Sequence, residues 1–166
     1  IMPGTPQTVS PGSSVTFTVV PSANHDVLDV GVDGVSQGAL GSYTFANVTV
    51  DHVITAAFAP HTCYATPDSG TTVFGSANAQ AVRNALGAVV PNGTVKVAGY
   101  CPGVAAQGGT SQTALITKLV TLSGGYTTTD WATYAPVANP TTLDALAGGR
   151  VIFASMAATL RGFTAT

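Results

Sequence analysis

Apolar and polar residues alternate along several short stretches of the first sixty residues, which is the pattern of half-buried β-strands. Asp33-Gly34 is a strong turn signal between two of these stretches. The pattern predicts four or five antiparallel strands. The alternating apolar positions are Val15, Phe17 and Val19; Leu28, Val30 and Val32; Tyr43 and Phe45; and Ile54, Ala56 and Phe58.

One amphipathic helix is predicted over residues 76–90. Ser76 is the predicted N-cap, and Ala79, Val82, Leu86 and Val89 or Val90 form an apolar stripe at helical spacing. Pro91-Asn92-Gly93 ends the helix and turns the chain.

Short predicted strands follow the helix, separated by turns that contain Gly or Pro. Strands this short cannot bury a face alone, but stacked coils can. The predicted strands are residues 94–99, 114–117, 119–123, 141–143, 150–154 and 158–163.

Two sequence motifs in residues 1–60 are characteristic: VDGV at residues 32–35 and YTFANVTVDHVITAAF at residues 43–58. With the run SPGSSVTFTVVP at residues 10–21, they resemble the divergent internalin-type B-repeat of bacterial surface proteins. The resemblance implies that residues 1–60 form a small antiparallel β module with an extended N-terminal arm. Such modules act as spacers or adhesive stalks and carry no chemistry.

Residues 61–166 contain three further motifs. They are a predicted helix–turn–strand at residues 77–99, SGGYTTTDW at 123–131 and NPTTLDA at 139–145. These resemble the start of right-handed parallel β-helices of bacterial surface proteins of the polymorphic outer-membrane type. The implied fold class is all-β, with residues 61–166 forming a short right-handed parallel β-helix capped by one α-helix. Such domains usually run for many coils, whereas this chain has about three.

Charge is scarce, which excludes several classes of protein. Five Lys or Arg and seven Asp make 7% charged residues with a net charge of −2, against roughly 25% charged residues in an average domain. Five scattered cations cannot neutralise a run of phosphates, so a nucleic-acid partner is not expected. The apolar stretches are far shorter than the ~20 residues of a spanning helix, so no membrane span is expected.

Cys63 and Cys101 are the two cysteines, and a structural disulfide between them is the first expectation. Two free buried thiols, or a metal site with His61, are the alternatives. Low charge and sequons at Asn47 and Asn92 fit a secreted or cell-surface protein. Threonine is so common here that the sequons arise readily by chance.

Carboxyl groups and histidines give no catalytic pattern. Glycoside hydrolysis needs two carboxyls at a fixed separation, and Asp68, Asp130 and Asp144 occur singly. Asp68 belongs to a Pro-Asp-Ser-Gly turn. His25, His52 and His61 accompany no nucleophile elbow. No catalytic residue, cofactor or metal is therefore expected.

The leading hypothesis is a non-enzymatic extracellular structural or adhesive protein that self-associates head to tail into a filament. Its expected self-association residues are Ile1, Met2, Phe153, Leu160 and Phe163. Residues 1–8 form either a disordered linker end or an arm that adds a strand to a neighbour. The last apolar run is either continued by further coils in a longer chain or covered by another copy.

The alternative hypothesis is a carbohydrate-binding or carbohydrate-processing β-helix. Trp131 and Tyr134 could offer stacking faces to a cell-surface polysaccharide, although a single Trp more often packs a loop onto a coil.

Overall fold

The chain is mostly β with one α-helix in a computed structural model that describes residues 1–68 and 71–166. It divides into two compact units, Ile1–Pro60 and His61–Thr166, which we call the N-terminal unit and the C-terminal unit. The sequence places the boundary at the same point.

The N-terminal unit contains two antiparallel sheets. One joins β1 and β4, and the other has the order β3-β2-β5. The buried residues Val30, Val32 and Phe45 belong to the predicted apolar positions. The strands are β1 (Ser13–Thr18), β2 (His25–Val32), β3 (Val35–Ser36), β4 (Ser42–Val48) and β5 (Ile54–Pro60).

Asp33 and Gly34 form the two-residue turn between β2 and β3, as predicted. Their φ angles are 50° and 80°, and Val32 pairs directly with Val35. Positive φ at both central residues is the requirement of a type I′ hairpin turn, which Asp-Gly meets at low steric cost.

Leu28 departs from the predicted alternation. The register of β2 against β5 shifts between Val27 and Asp29, so Leu28 is the extra residue of a β-bulge. Its side chain is 61% exposed, whereas strict alternation placed it on the same face as Val30. Periodicity alone cannot locate such a bulge because it belongs to the pairing of two strands.

The described residues of the C-terminal unit, 61–68 and 71–166, form the helix and ten strands. The helix is α1 (Gln80–Ala88). The strands are β6 (Cys63–Pro67), β7 (Phe74–Ser76), β8 (Thr94–Pro102), β9 (Ala105–Gln107), β10 (Thr110–Ile116), β11 (Val120–Ser123), β12 (Thr142–Asp144), β13 (Arg150–Ala154), β14 (Ala158–Arg161) and β15 (Thr164–Ala165).

Most pairs in this unit are parallel. The long strand β8 pairs with β11 through its first half and with β12 through its second half. Strand β11 then pairs with β14, β12 with β15, and β10 with β13. Three parallel ladders therefore run through the unit. The sheets are mixed, because β6, β7 and β9 add antiparallel pairs that the sequence did not predict.

Parallel register places like side chains in columns. Val95, Leu122 and Leu160 are register partners across β8, β11 and β14. Val95 and Leu122 are 0% exposed, whereas Leu160 is 46% exposed. Each inner residue is covered by the next strand of the column, and Leu160 has no strand beyond it among the described residues.

The helix covers the opposite end of these ladders and packs against β6, β7, β8 and β10. Its buried face contains Ala81, Val82, Ala85 and Leu86, in agreement with the predicted apolar stripe. Arg83 donates to the backbone carbonyl of Thr113 on β10. Lys118 donates to the carbonyls of Gly87 and Val89, where a cation complements the negative end of the helix dipole.

The predicted N-cap at Ser76 is wrong. Ser76 ends β7 and pairs with Cys63, so its backbone belongs to a strand ladder and the helix begins at Gln80. The side chain of Asn78 accepts the N–H of Gln80 at 2.8 Å. Ala79 occupies the N-cap position and makes no side-chain cap hydrogen bond.

Cys63 and Cys101 form a disulfide, as predicted. Both are fully buried, and they join β6 to β8 around a loop that contains the whole helix.

Replacing both cysteines with Ala should destabilise the C-terminal unit. The bridge spans a sequence separation of 38. The loop-closure entropy of the unfolded chain then corresponds to about 4 kcal/mol of stability. Urea unfolding followed by Trp131 fluorescence measures the change. The unmodified protein should show the same loss when a reductant is present, and the double variant should not respond to it. Equal stability with and without the bridge would contradict this expectation.

Leu122→Ala should cost far more stability than Leu160→Ala, because only the first creates an enclosed cavity. We expect a loss of about 3 kcal/mol for Leu122→Ala, within the usual range for buried Leu. About 1 kcal/mol is expected for Leu160→Ala, since half of its side chain is already exposed. The same urea titration measures both variants. Equal losses would show that the column does not have this layering.

Candidate functional site

The outermost layer is the name we give to β13, β14 and β15, the last strands of the three parallel ladders. The described residues place no further strand beside any of them. A strand edge of this kind presents unpaired N–H and C=O groups and can template pairing with another chain. Leu160 and Met156 are exposed apolar residues in or beside this layer.

Phe153 and Phe163 occupy different environments. Phe153 lies on β13 beside Leu115, and its side chain is 37% exposed. The guanidinium carbon of Arg150 lies 5.1 Å from the centre of its ring, which is a cation–π distance. Phe163 instead packs against the hydrophobic core and is partly buried. Of these two phenylalanines, Phe153 is therefore the better contact residue.

Ile1 and Met2 lie in the N-terminal unit, where the arm pairs with its own chain. The N–H of Met2 donates to the carbonyl of Thr18 at 2.8 Å, and the N–H of Thr18 donates to Met2 at 2.9 Å. The backbone of Met2 is thus occupied by an isolated bridge to the end of β1. Within this chain, the described backbone pairing of the arm is the bridge of Met2 to Thr18.

The aromatic cluster consists of Tyr126, Trp131 and Tyr134, in the loop between β11 and β12. Tyr126 is buried, and the ring of Trp131 stacks on it with centroids 6.2 Å apart. The ammonium of Lys96 lies 5.4 Å from the centre of Tyr126 and donates to the carbonyl of Trp131. The guanidinium of Arg161 lies 4.8 Å from the centre of Tyr134.

The contacts of the aromatic cluster are those of a loop packed onto a sheet. Lys96, Ser123 and Arg161 are register partners across β8, β11 and β14, so the rings cover one row of polar residues. Tyr134 lies so close to Gly162 that a Cβ there would come within 2.8 Å of the ring. The indole N–H of Trp131 is buried without a partner in the described structure. Arg161 covers the ring of Tyr134 from one side, and the side chain of Tyr134 is 43% exposed.

The three candidate carboxylates bind separate groups. Asp68 accepts the N–H of Thr94 at 2.6 Å; residues 69 and 70 of its predicted turn lie outside the described residues. Asp144 accepts the Tyr100 hydroxyl at 2.7 Å. Asp130 accepts the N–H groups of Ala132 and Thr133 at 2.8 and 3.1 Å. The described hydrogen bonds link no two of these carboxyl groups.

Asp130 is stabilised in its charged form. A hydrogen bond from the Thr133 side chain, followed by those from the N–H groups of Ala132 and Thr133, holds the pKa of Asp130 below its ordinary value of 3.8. The charged carboxylate therefore organises the turn that positions Trp131.

Two of the candidate histidines, His25 and His52, lie in the N-terminal unit and contact groups of that unit. His25 contacts the carbonyl of Ala23 at 3.0 Å. His52 contacts the carboxylate of Asp33 at 2.7 Å and stacks on Phe45 with centroids 4.8 Å apart. The hydrogen bond from the N–H of Val53, with that of His52, lowers the pKa of Asp33. His61 lies near Tyr64 in the C-terminal unit. Among the described residues, no group of three or more potential metal ligands occurs.

Sequence reasoning missed the apolar cavity, an opening of about 430 Å³ in the N-terminal unit. Its apolar walls include Val15, Phe17, Phe45 and Ile54, and Asp51 and His52 also line it. Residues 6–9 run along one side. The alternation of β1 and β4 pointed to these inward residues but could not show that the space between them stays partly open.

Comparisons with protein families, with curated proteins and with solved structures found no match to this chain. No helix in residues 1–68 and 71–166 is both long and apolar enough to cross a membrane.

Acidification should release the aromatic cluster below pH 3.8. Because the folded-state pKa of Asp130 is lowered, the stability it contributes is present above its unfolded value and is lost as the pH falls through the folded value. The emission of Trp131, the one tryptophan, should then shift to longer wavelength.

Asp130→Asn retains an oxygen acceptor but no titrating group, so this shift should be strongly reduced in the variant. Asp144→Asn is the matched control and should behave like the unmodified protein. An identical acid transition in all three proteins would show that Asp130 does not hold the cluster.

Proposed function

We propose that this protein is a non-enzymatic, extracellular structural or adhesive protein that associates with other copies of itself through the outermost layer. We further propose that the C-terminal unit is a short, helix-capped, right-handed parallel β-helix, and that the N-terminal unit is a spacer related to the internalin-type B-repeat. Self-association of this kind, head to tail, produces a filament.

The layering of the C-terminal unit supports the β-helix. Strand β8 begins two ladders, β10 begins a third, and each is extended in parallel by strands from later in the chain. A chain that returns to each ladder in turn is coiling around a common core. Residues of all three ladders share one hydrophobic cluster, including Val95, Cys101, Ala114, Leu122 and Leu143.

Self-association rests on the exposure of Leu160. Its register partners Val95 and Leu122 are fully buried, and Leu160 differs from them only in lacking a following strand. Covering a Leu side chain fully stabilises a contact by about 1.5–3 kcal/mol. The free edge of β14 adds backbone hydrogen bonds to that gain.

The disulfide supports an extracellular location, because disulfides persist in oxidising compartments and are rare in the cytosol. The candidate carboxylates accept backbone N–H groups or the Tyr100 hydroxyl, and His52 contacts Asp33. These contacts support a structural role for them.

Leu160→Lys should convert associating protein into monomer. A charged amine at the centre of the contact would have to be desolvated without a partner, which is unfavourable. Sedimentation velocity over a concentration series measures the association, and electron microscopy shows whether the product is a filament.

Val137→Lys is the matched control, since Val137 is 97% exposed in the same unit and outside the outermost layer. The control should associate like the unmodified protein. An unmodified chain that stays monomeric at high concentration would contradict the proposed function.

A further inference from the structure

Charge is divided unequally between the two units, and this bears on which surface the outermost layer contacts. The N-terminal unit contains Asp26, Asp29, Asp33 and Asp51 and no Lys or Arg. The C-terminal unit contains all five Lys and Arg residues and three Asp. One unit is therefore acidic and the other basic in every copy.

The outermost layer is itself basic. Arg150 begins β13 and Arg161 ends β14, and none of its three strands contains an Asp. Two such layers facing each other would bring like charges together, which disfavours a symmetric contact. The exposed ring of Phe153 lies directly beside the Arg150 guanidinium.

The helix end of the C-terminal unit is a poor partner for this layer. Strand β6 already occupies the outer edge of β8, and α1 packs over the end of the ladders. Arg83 and Lys118 add positive charge there. Asp68, which lies beside Gly93 at the end of the helix, already accepts the N–H of Thr94.

The apolar cavity of the N-terminal unit is complementary to the outermost layer in charge and offers space for an apolar side chain. Its volume of about 430 Å³ falls within the usual size of binding pockets, roughly 300–1,000 Å³. Eight of its twelve lining residues are apolar, including Phe17 and Phe45, and the exposed residue Asp51 is one of the four polar ones. Val50, also lining the cavity, is an exposed apolar side chain.

We propose that the apolar cavity of one copy receives the outermost layer of a second copy, with Phe153 entering the cavity and Arg150 pairing with Asp51. This inference rests on the proposed self-association and names its partner surface. The two surfaces differ, so each copy donates one and accepts one, and the contact repeats along a filament.

Charge reversal at the two positions tests the pairing. Arg150→Asp and Asp51→Arg should each weaken self-association by about tenfold or more, because each places like charges at the contact. An equimolar mixture of the two variants should recover association, since each layer then meets a cavity of opposite charge. Added salt should weaken association of the unmodified protein, as it screens exposed pairs.

Controls separate local from general effects. Gln37→Arg adds a positive charge to the N-terminal unit away from the cavity and should leave association unchanged. Phe153→Ala should weaken association without changing its salt dependence. Asp51→Asn, a milder change, should weaken it less than Asp51→Arg. Circular dichroism and the urea midpoint confirm that each variant is folded.

The possible outcomes distinguish this inference from the proposed function. If the mixture of the two variants self-associates while each variant by itself stays monomeric, the result supports pairing of the outermost layer with the cavity. If the unmodified protein associates and Leu160→Lys blocks it, but the mixed variants stay monomeric, the cavity is not the partner surface and self-association stands. If the unmodified protein never associates, both are overturned.

Discussion

The C-terminal unit depends on the stacking of parallel strands that are too short to bury a face alone. Its ladders are two or three strands deep, and several strands contain only three or four residues. Each apolar residue is therefore sheltered by register partners on neighbouring strands. Leu122 lies between Val95 and Leu160 and is fully buried for this reason.

Stacking of this kind creates two ends, and the two ends differ. At one end α1 covers the core, and the disulfide joins the strands on either side of the helix. Arg83 of the helix donates to a backbone carbonyl of β10. Lys118 donates to carbonyls at the C-terminal end of the helix. At the other end the outermost layer keeps its strand edge and the half-exposed Leu160. The difference gives the unit a direction, and a directional unit is suited to repeated addition.

Scarce charge has a structural consequence. All five cations contact carbonyls or aromatic rings within the C-terminal unit: Lys96, Arg83, Arg161, Lys118 and Arg150. The carboxylates likewise accept backbone N–H groups, as Asp130 does. The few charged side chains of this protein therefore serve local contacts.

The sequence by itself determined the β-rich class and the single helix, and it made a disulfide between the two cysteines the first expectation. Alternation, helical spacing and the Asp-Gly turn are local signals, so Val30, Phe45, Val82 and the β2–β3 hairpin could be predicted from them. Tertiary structure decided the rest. Four features depend on residues distant in sequence. They are the bulge at Leu28, the strand that includes Ser76, the core packing of Phe163 and the pairing of Met2 with Thr18. The apolar cavity and the uncovered Leu160 depend on which strands meet, because burial belongs to a pair of surfaces and cannot be read from one strand.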